Sequence, residues 1–235
     1  MLYYNRFYTT SKKSQEENSF TYLIYVLNCT KLHSYFFEMP KRNTDFEIIT
    51  GKQPFLLSAP HVFAHRRPSL SGLYKQGEPW TDEIVKRICE ITDSNGIFTT
   101  DEVSYDPNYY KESKNEYKKK VKGIVKERKI TYFFDIHGLS DQYEYDFGIY
   151  YLNRYNKSKT LAYDFANALN KGPLRNCLPQ VLNLNVGKAE SLTEFTTSKL
   201  RIPSIQLEIS RYIREDKVLR KSLVENFSDF LTSLY

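Results

Sequence analysis

The run Thr131–Ile136 (TYFFDI), closing on His137-Gly138, constrains this chain more than any other stretch. It is short, aromatic-rich and nearly free of polar side chains, so it reads as a strand covered on both faces. Phe55–Ala59 (FLLSA), which ends at Pro60-His61, reads the same way. A sheet built on such strands needs a layer of helices on each side. The helices are legible: Thr81–Thr92 spaces Ile84, Val85, Ile88 and Ile91 at helical intervals behind Thr81 as the expected N-cap, and Ser158–Leu169 and Lys217–Leu234 are amphipathic. Further strands are expected at Thr21–Cys29, Phe46–Thr50, Gly96–Thr100, Phe147–Leu152 and Ser204–Ile209 (SIQLEI). Strands alternating with helices predict an α/β fold with a mixed central sheet flanked by helices, and a single domain over residues 21–235 behind a polar arm, residues 1–20.

Composition narrows the class of protein. At 235 residues with 40% hydrophobic and 15% aromatic content, the chain has material for a full core, which excludes wholesale disorder. No apolar run approaches the roughly 18 residues that span a bilayer, and the N-terminal residues lack the apolar stretch of a secretory signal. A cytoplasmic protein is the expectation. Cys29, Cys89 and Cys177 are odd in number and widely spaced, which fits neither a disulfide framework nor a cysteine zinc motif. The net charge of +6 resides largely in Lys111–Lys129, where nine basic residues face three Glu. The stretch from about Tyr109 to Arg128 is expected as an exposed helix; a non-catalytic, basic nucleic-acid-binding protein is the lesser alternative, since beyond Tyr117 the stretch lacks the aromatic interleaving of a nucleic-acid surface.

In open α/β sheets, chemistry gathers beyond the carboxyl ends of the strands. His61, His137 with Asp135, and Glu208 all fall at such ends, and Glu78 stands just before a helix (GEPWTDEI). His61, Glu78 and His137 make a two-nitrogen, one-oxygen set suited to one zinc ion with an open position, the ligand inventory of amide-cleaving metallohydrolases. Glu208 is the candidate general base and acid. Asp135, two residues from His137 on the same side of its strand, is placed to orient that imidazole. Arg66, Arg67 and Arg211 are candidates to grip a substrate carboxylate, since a guanidinium binds one bidentately. His65 and the tyrosines Tyr143, Tyr145, Tyr150 and Tyr151 are further possible contacts. The spacings of 17, 59 and 71 residues between His61, Glu78, His137 and Glu208 match no short metal motif. From the residues alone, a metal site and a set of packed polar side chains both stand.

The order SAPH, EPWTDEI, SYDPN, FFDIHG, QLEISR resembles the N-formylglutamate amidohydrolase family of the zinc carboxypeptidase-like superfamily, over about Leu56–Arg214. The resemblance implies a three-layer fold and zinc-dependent hydrolysis of a C–N amide bond in an acyl-amino acid or similar carboxylate-bearing small molecule. Carboxypeptidase or poly-γ-glutamate hydrolase activity is the related alternative. It implies zinc ligands at His61, Glu78 and His137, with Asp82 the rival to Glu78, and the catalytic carboxylate at Glu208. Asp106 and Asn108 would line the site. Two departures bear on substrate: Tyr109 and Tyr110 follow Asn108 where the family places an arginine, and the PH dipeptide continues as VFAHRRP where a small residue and Gly are usual.

Overall fold

The computed structural model describes residues 45–67, 73–184, 187 and 189–234. The expected strand Thr21–Cys29 and the expected arm, residues 1–20, lie outside them.

Among the described residues seven strands form the main sheet. They are β1 (Phe46–Ile49), β2 (Phe55–Ala59), β5 (Asn95–Thr99), β6 (Tyr132–Leu139), β7 (Phe147–Tyr151), β8 (Pro179–Asn183) and β9 (Ser204–Ser210), in the order β1-β5-β2-β6-β9-β7-β8. A two-residue pair, β3 (His65–Arg66) with β4 (Tyr74–Lys75), stands apart from it. The four central strands β5, β2, β6 and β9 run parallel; β1 is antiparallel to β5 at one edge, and on the other side β7 is antiparallel to β9, with the edge strand β8 parallel to β7. The sheet is therefore mixed, as expected.

Alternation within the central strands supplies both cores. Phe55, Leu57, Phe134 and Ile136 face helices α1 (Thr81–Thr92), α3 (Asn156–Leu169) and α6 (Lys217–Ser233), the last preceded by the short α5 (Arg211–Glu215). Leu56, Ile97 and Phe133 face α2 (Glu116–Glu127), and Leu192 of α4 (Leu192–Ser198) joins that second core. Phe134 alone meets the rings of Phe165, Phe227 and Phe230 at centroid distances of 5.2 to 6.4 Å. Three layers result.

The chain leaves β2 through α1 to reach β5 on one side, then crosses through α2 to β6 on the other side of β2. A crevice opens at the carboxyl edge where connections diverge in this way. His61 follows β2 and His137 lies near the end of β6, so the two histidines flank that crevice.

Several elements differ from expectation for physical reasons. Strand β6 runs on through His137 to Leu139, because its pairing with β9 continues as far as Leu139 and Ser210. The N-cap of α1 is Trp80 in a left-handed conformation (φ 74°), with Thr81 inside the helix. The lysine-rich helix is shorter than expected, starting at Glu116 behind an Asn115 cap whose side chain accepts from Lys118 N. Nor is it wholly exposed: Tyr117, Val121, Ile124 and Val125 are buried, and so is Lys118. Its Nζ donates to Tyr110 O (2.7 Å) and to Glu190 O. Among the described residues no helix is long and apolar enough to cross a membrane.

Candidate metal centre and pocket

Glu78 reaches the crevice on a turn with little freedom. Its N–H donates to His61 O (2.7 Å), its carbonyl accepts from Thr81 Oγ1 (2.7 Å), and Pro79 O accepts from Arg214 Nη1 (2.6 Å). Gly77 is obligatory in this packing: a Cβ there would lie 2.5 Å from Val62 O and 2.8 Å from Phe63 C, and backbone cannot yield. The Trp80 ring, held in its strained cap, carries the Arg220 guanidinium 4.3 Å from its centroid. The turn thus fixes one carboxylate between two strands.

Glu78 Oε1 lies 3.4 Å from His61 Nδ1, and Oε2 lies 3.1 Å from His137 Nδ1 and accepts from Gly138 N (3.0 Å). All three side chains are buried. Each imidazole turns its other nitrogen to a second carboxylate, His61 Nε2 to Asp106 Oδ1 (2.8 Å) and His137 Nε2 to Asp135 Oδ2 (3.0 Å). A proton on each Nε2 leaves both Nδ1 lone pairs aimed at the Glu78 carboxylate. His61 Nδ1 is buried without a hydrogen-bond partner. This is the carboxylate–histidine pattern that fixes ring orientation and raises the basicity of a metal-binding nitrogen.

The electrostatics agree. Burial pushes His61 and His137 down, but Glu78 with Asp106, and Asp135 with Glu78, outweigh it and hold His61 raised and His137 well above the ordinary range. Burial would raise Glu78, yet the two histidines hold it well below the usual carboxylate range. Glu78, Asp106 and Asp135 draw positive charge into a dry crevice, and a dication meets the same demand. The donor set fits a zinc ion in kind, two imidazole nitrogens and a carboxylate.

A second group, His61, His65 and Asp106, also brings its donors together. Its geometry is different. The His61 and His65 rings stack with centroids 3.8 Å apart and planes only 7° from parallel, so their in-plane lone pairs do not meet at one point. Asp106 is already committed, accepting from His61, from Asn108 N (2.8 Å) and from Arg67 Nε (2.7 Å), and although burial would raise its carboxyl, His61 first and then Arg67 hold it well down. His65 packs as a neutral plate against His61, since burial first and then the charge of His61 lower it to about 4.

Asn108 stands beside His137: its Oδ1 accepts from Leu192 N (2.6 Å), so Nδ2 is a donor, and with the Nε2 proton of His137 directed to Asp135 the acceptor open to Nδ2 is Asp135 Oδ2 (3.5 Å) and not the ring nitrogen 2.9 Å away. Glu208 sits on β9 directly across from His137, sharing its face of the sheet. Burial first, with the nearby Glu78 charge, raises its pKa; Gln206 Nε2 donates to its Oε1 (2.8 Å). Glu78 and Glu208 line a cavity of about 390 Å³ that also takes in Gly138, Tyr143, Tyr150 and Arg214.

Other expected residues are placed differently. Asp82 pairs with Lys86 (2.8 Å) on α1 and is not part of the cluster, whereas Glu78 is. Arg66 is exposed on β3 and does not line this cavity, and Arg67 is spent on Asp106. Arg211 lines the cavity but is exposed and paired with Glu215 (2.6 Å). Tyr145 reaches the pocket only through its hydroxyl contact with Tyr150 (2.8 Å), and Tyr151 is buried in the core. Sequence reasoning missed Arg214, one turn of chain beyond the strand end it examined.

No protein-family model and no curated protein matches this sequence. Solved structures do. A gene product of Agrobacterium tumefaciens superposes with a TM-score of 0.55 at 11% identity, covering 81% of this chain and 94% of that one. A bacteriophage poly-γ-glutamate hydrolase does so at 0.50 and 16% identity, covering 89% and 93%. These likenesses show the fold alone: a mixed central sheet with helices on both faces.

Proposed function

We propose that this protein is a zinc-dependent amidohydrolase, of the N-formylglutamate amidohydrolase kind, acting on an acyl-amino acid or similar carboxylate-bearing small molecule. The observation that carries the reading is the convergence of two imidazole Nδ1 atoms on one buried carboxylate, at a cavity that Glu208 also lines. His61, Glu78 and His137 would hold one ion. When bound, zinc supplies a Lewis acid for the scissile carbonyl and for water.

The chain's own groups do the remaining work. Asp106 and Asp135 keep a proton on each Nε2, so both Nδ1 atoms stay available. Glu208 accepts the proton of the attacking water and returns it to the departing amine. Its raised pKa suits both duties, because a carboxylate that binds a proton more tightly is the stronger base in the first step and keeps that proton until the amine departs. Gln206 fixes one of its oxygens and leaves the other for the exchange.

Nucleic acid stays outside the proposal. In the lysine-rich helix Lys118 is buried, Lys119 pairs with Glu116 and Lys122 with Glu112 (2.6 Å each).

The test is a panel of N-formyl-glutamate, N-acyl-amino acids, short peptides and γ-linked glutamate oligomers, offered to zinc-loaded protein. Hydrolysis of at least one class is expected, lost on chelation, restored by zinc, and lowered by two orders of magnitude or more in Glu208→Gln. Turnover unaffected by chelator, or by loss of Glu208, would refute the mechanism.

A further inference from the structure

We infer that Arg214 is the residue that grips the substrate's carboxylate, and that this carboxylate lies close to the scissile amide instead of at the far end of the molecule. The inference rests on the hydrolase reading above and names a residue and a substrate geometry that it leaves open.

Arg214 is a charged side chain with 4% of its surface exposed, and no carboxylate among the described residues bonds it. Two main-chain carbonyls hold it: Nε donates to Ile209 O (3.0 Å) and Nη1 to Pro79 O (2.6 Å). They fix the plane of the guanidinium and leave Nη2 free. Nη2 lies over Gly138, where a Cβ would stand 2.8 Å from it and 3.1 Å from Glu78 Cβ. Glycine at 138 therefore makes room for the guanidinium beside the Glu78 turn, and Arg214 lines the cavity together with Glu78 and Glu208.

A buried, preorientated fork lacking an anionic bonding partner is built to receive one, because desolvated charge is costly until it is paired. Neither nearby acid bonds it: Glu78 faces the two histidines, and Glu208 gives one oxygen to Gln206 and keeps the other for the proton exchange. Arg66, Arg67 and Arg211 are poorer anchors, being exposed, committed to Asp106 and paired with Glu215 respectively. An anion held at Nη2 sits alongside the Glu78 turn, hence near the bond to be cut. N-acylated amino acids have this chemistry, and so do γ-linked glutamate chains, whose α-carboxylate flanks each amide.

The experiment is calorimetric binding to zinc-loaded protein in the Glu208→Gln background, which separates recognition from turnover. The probes are N-acetyl-glutamate, its α-carboxamide, and γ-linked triglutamate. Wild-type Arg214 is expected to favour the carboxylate over the carboxamide at least tenfold, and Arg214→Gln to bring the ratio near one. Arg211→Gln is expected to leave it within threefold. Should Arg214→Gln fail to fold, Arg214→Lys keeps the charge without the fork and is expected to lower the ratio severalfold. Discrimination that persists unchanged in the Arg214 variants, or is missing with Arg214 intact, overturns the assignment. Tighter binding of triglutamate than of N-acetyl-glutamate, with both weakened in Arg214→Gln, would identify the polymer as the source of the carboxylate, and the reverse order the monomer. Because binding is read without catalysis, failure of the hydrolase reading would appear separately, as inactivity towards the substrate panel with discrimination intact.

Discussion

Two groups of three residues share His61, and both are buried clusters of two histidines with a carboxylate, yet they are built for different work. In one, His61 and His137 meet at 63° between ring planes and send Nδ1 lone pairs to either oxygen of Glu78. In the other, His61 and His65 lie almost parallel, and Asp106 already holds three donors. Residue type and proximity are the same in both. Ring orientation and prior commitment of the carboxylate separate a place that takes an ion from the frame that aims one of its donors.

The comparison breaks most severely if a donor of the first group is removed. Glu78→Gln and His137→Ala are expected to weaken zinc binding by on the order of a thousandfold or more, measured by competition with a chromogenic chelator. Retention of near-native affinity in both would place the ion elsewhere.

The next largest effect concerns what holds the second group in place. Lys118 Nζ and Asn115 Nδ2 both bond Tyr110 O, and Asn115 Nδ2 also bonds Pro107 O, pinning the turn that carries Asp106 and Asn108. Burial lowers the Lys118 ammonium from 10.5 to about 8, with Glu190 opposing the shift. Between those two values the unfolded chain binds the proton and the folded protein does not, so stability contributed at this site rises with pH across that window. Wild type is expected to gain on the order of 3 kcal/mol relative to Lys118→Met between pH 8 and 10.5, read from urea unfolding. Parallel curves for the two proteins would show that the ammonium is not desolvated.

Removing the frame itself costs less than removing a donor. Asp106→Asn and Asp135→Asn are expected to weaken zinc about 10- to 100-fold while preserving one ion per chain. A thousandfold loss would promote either aspartate to a ligand. The smallest effect belongs to His65→Ala, which removes only a stacked plate and is expected to change zinc affinity by less than about tenfold.

Much of this was legible in the sequence, and the reasons differ by element. TYFFDIHG and FLLSAPH announced buried strands with polar ends, so His61, His137 and the α/β architecture could be read from periodicity. Glu208 was visible because a carboxylate in SIQLEIS demands a reason. Asp106 could be suspected only by resemblance, since an acid in a turn is ordinary until a buried imidazole lies against it. Asp82 stood as a rival to Glu78 because both lie near one helix start; the choice rests on the turn that binds Glu78 to His61 O and locally to Thr81, and on the pairing of Asp82 with Lys86. Arg214 carried no local signal at all. Its partners, Ile209 O and Pro79 O, are 5 and 135 residues away, and the space it fills exists because residue 138 has no side chain.

The central claim is that one ion binds at His61, Glu78 and His137, and none at His65 and Asp106. It is tested most directly by elemental analysis of protein equilibrated with zinc and freed of excess metal, for wild type, His137→Ala and His65→Ala. The account predicts one zinc per chain in wild type and in His65→Ala, and none in His137→Ala. Two ions in wild type, or one that survives loss of His137 and vanishes with His65, would contradict it.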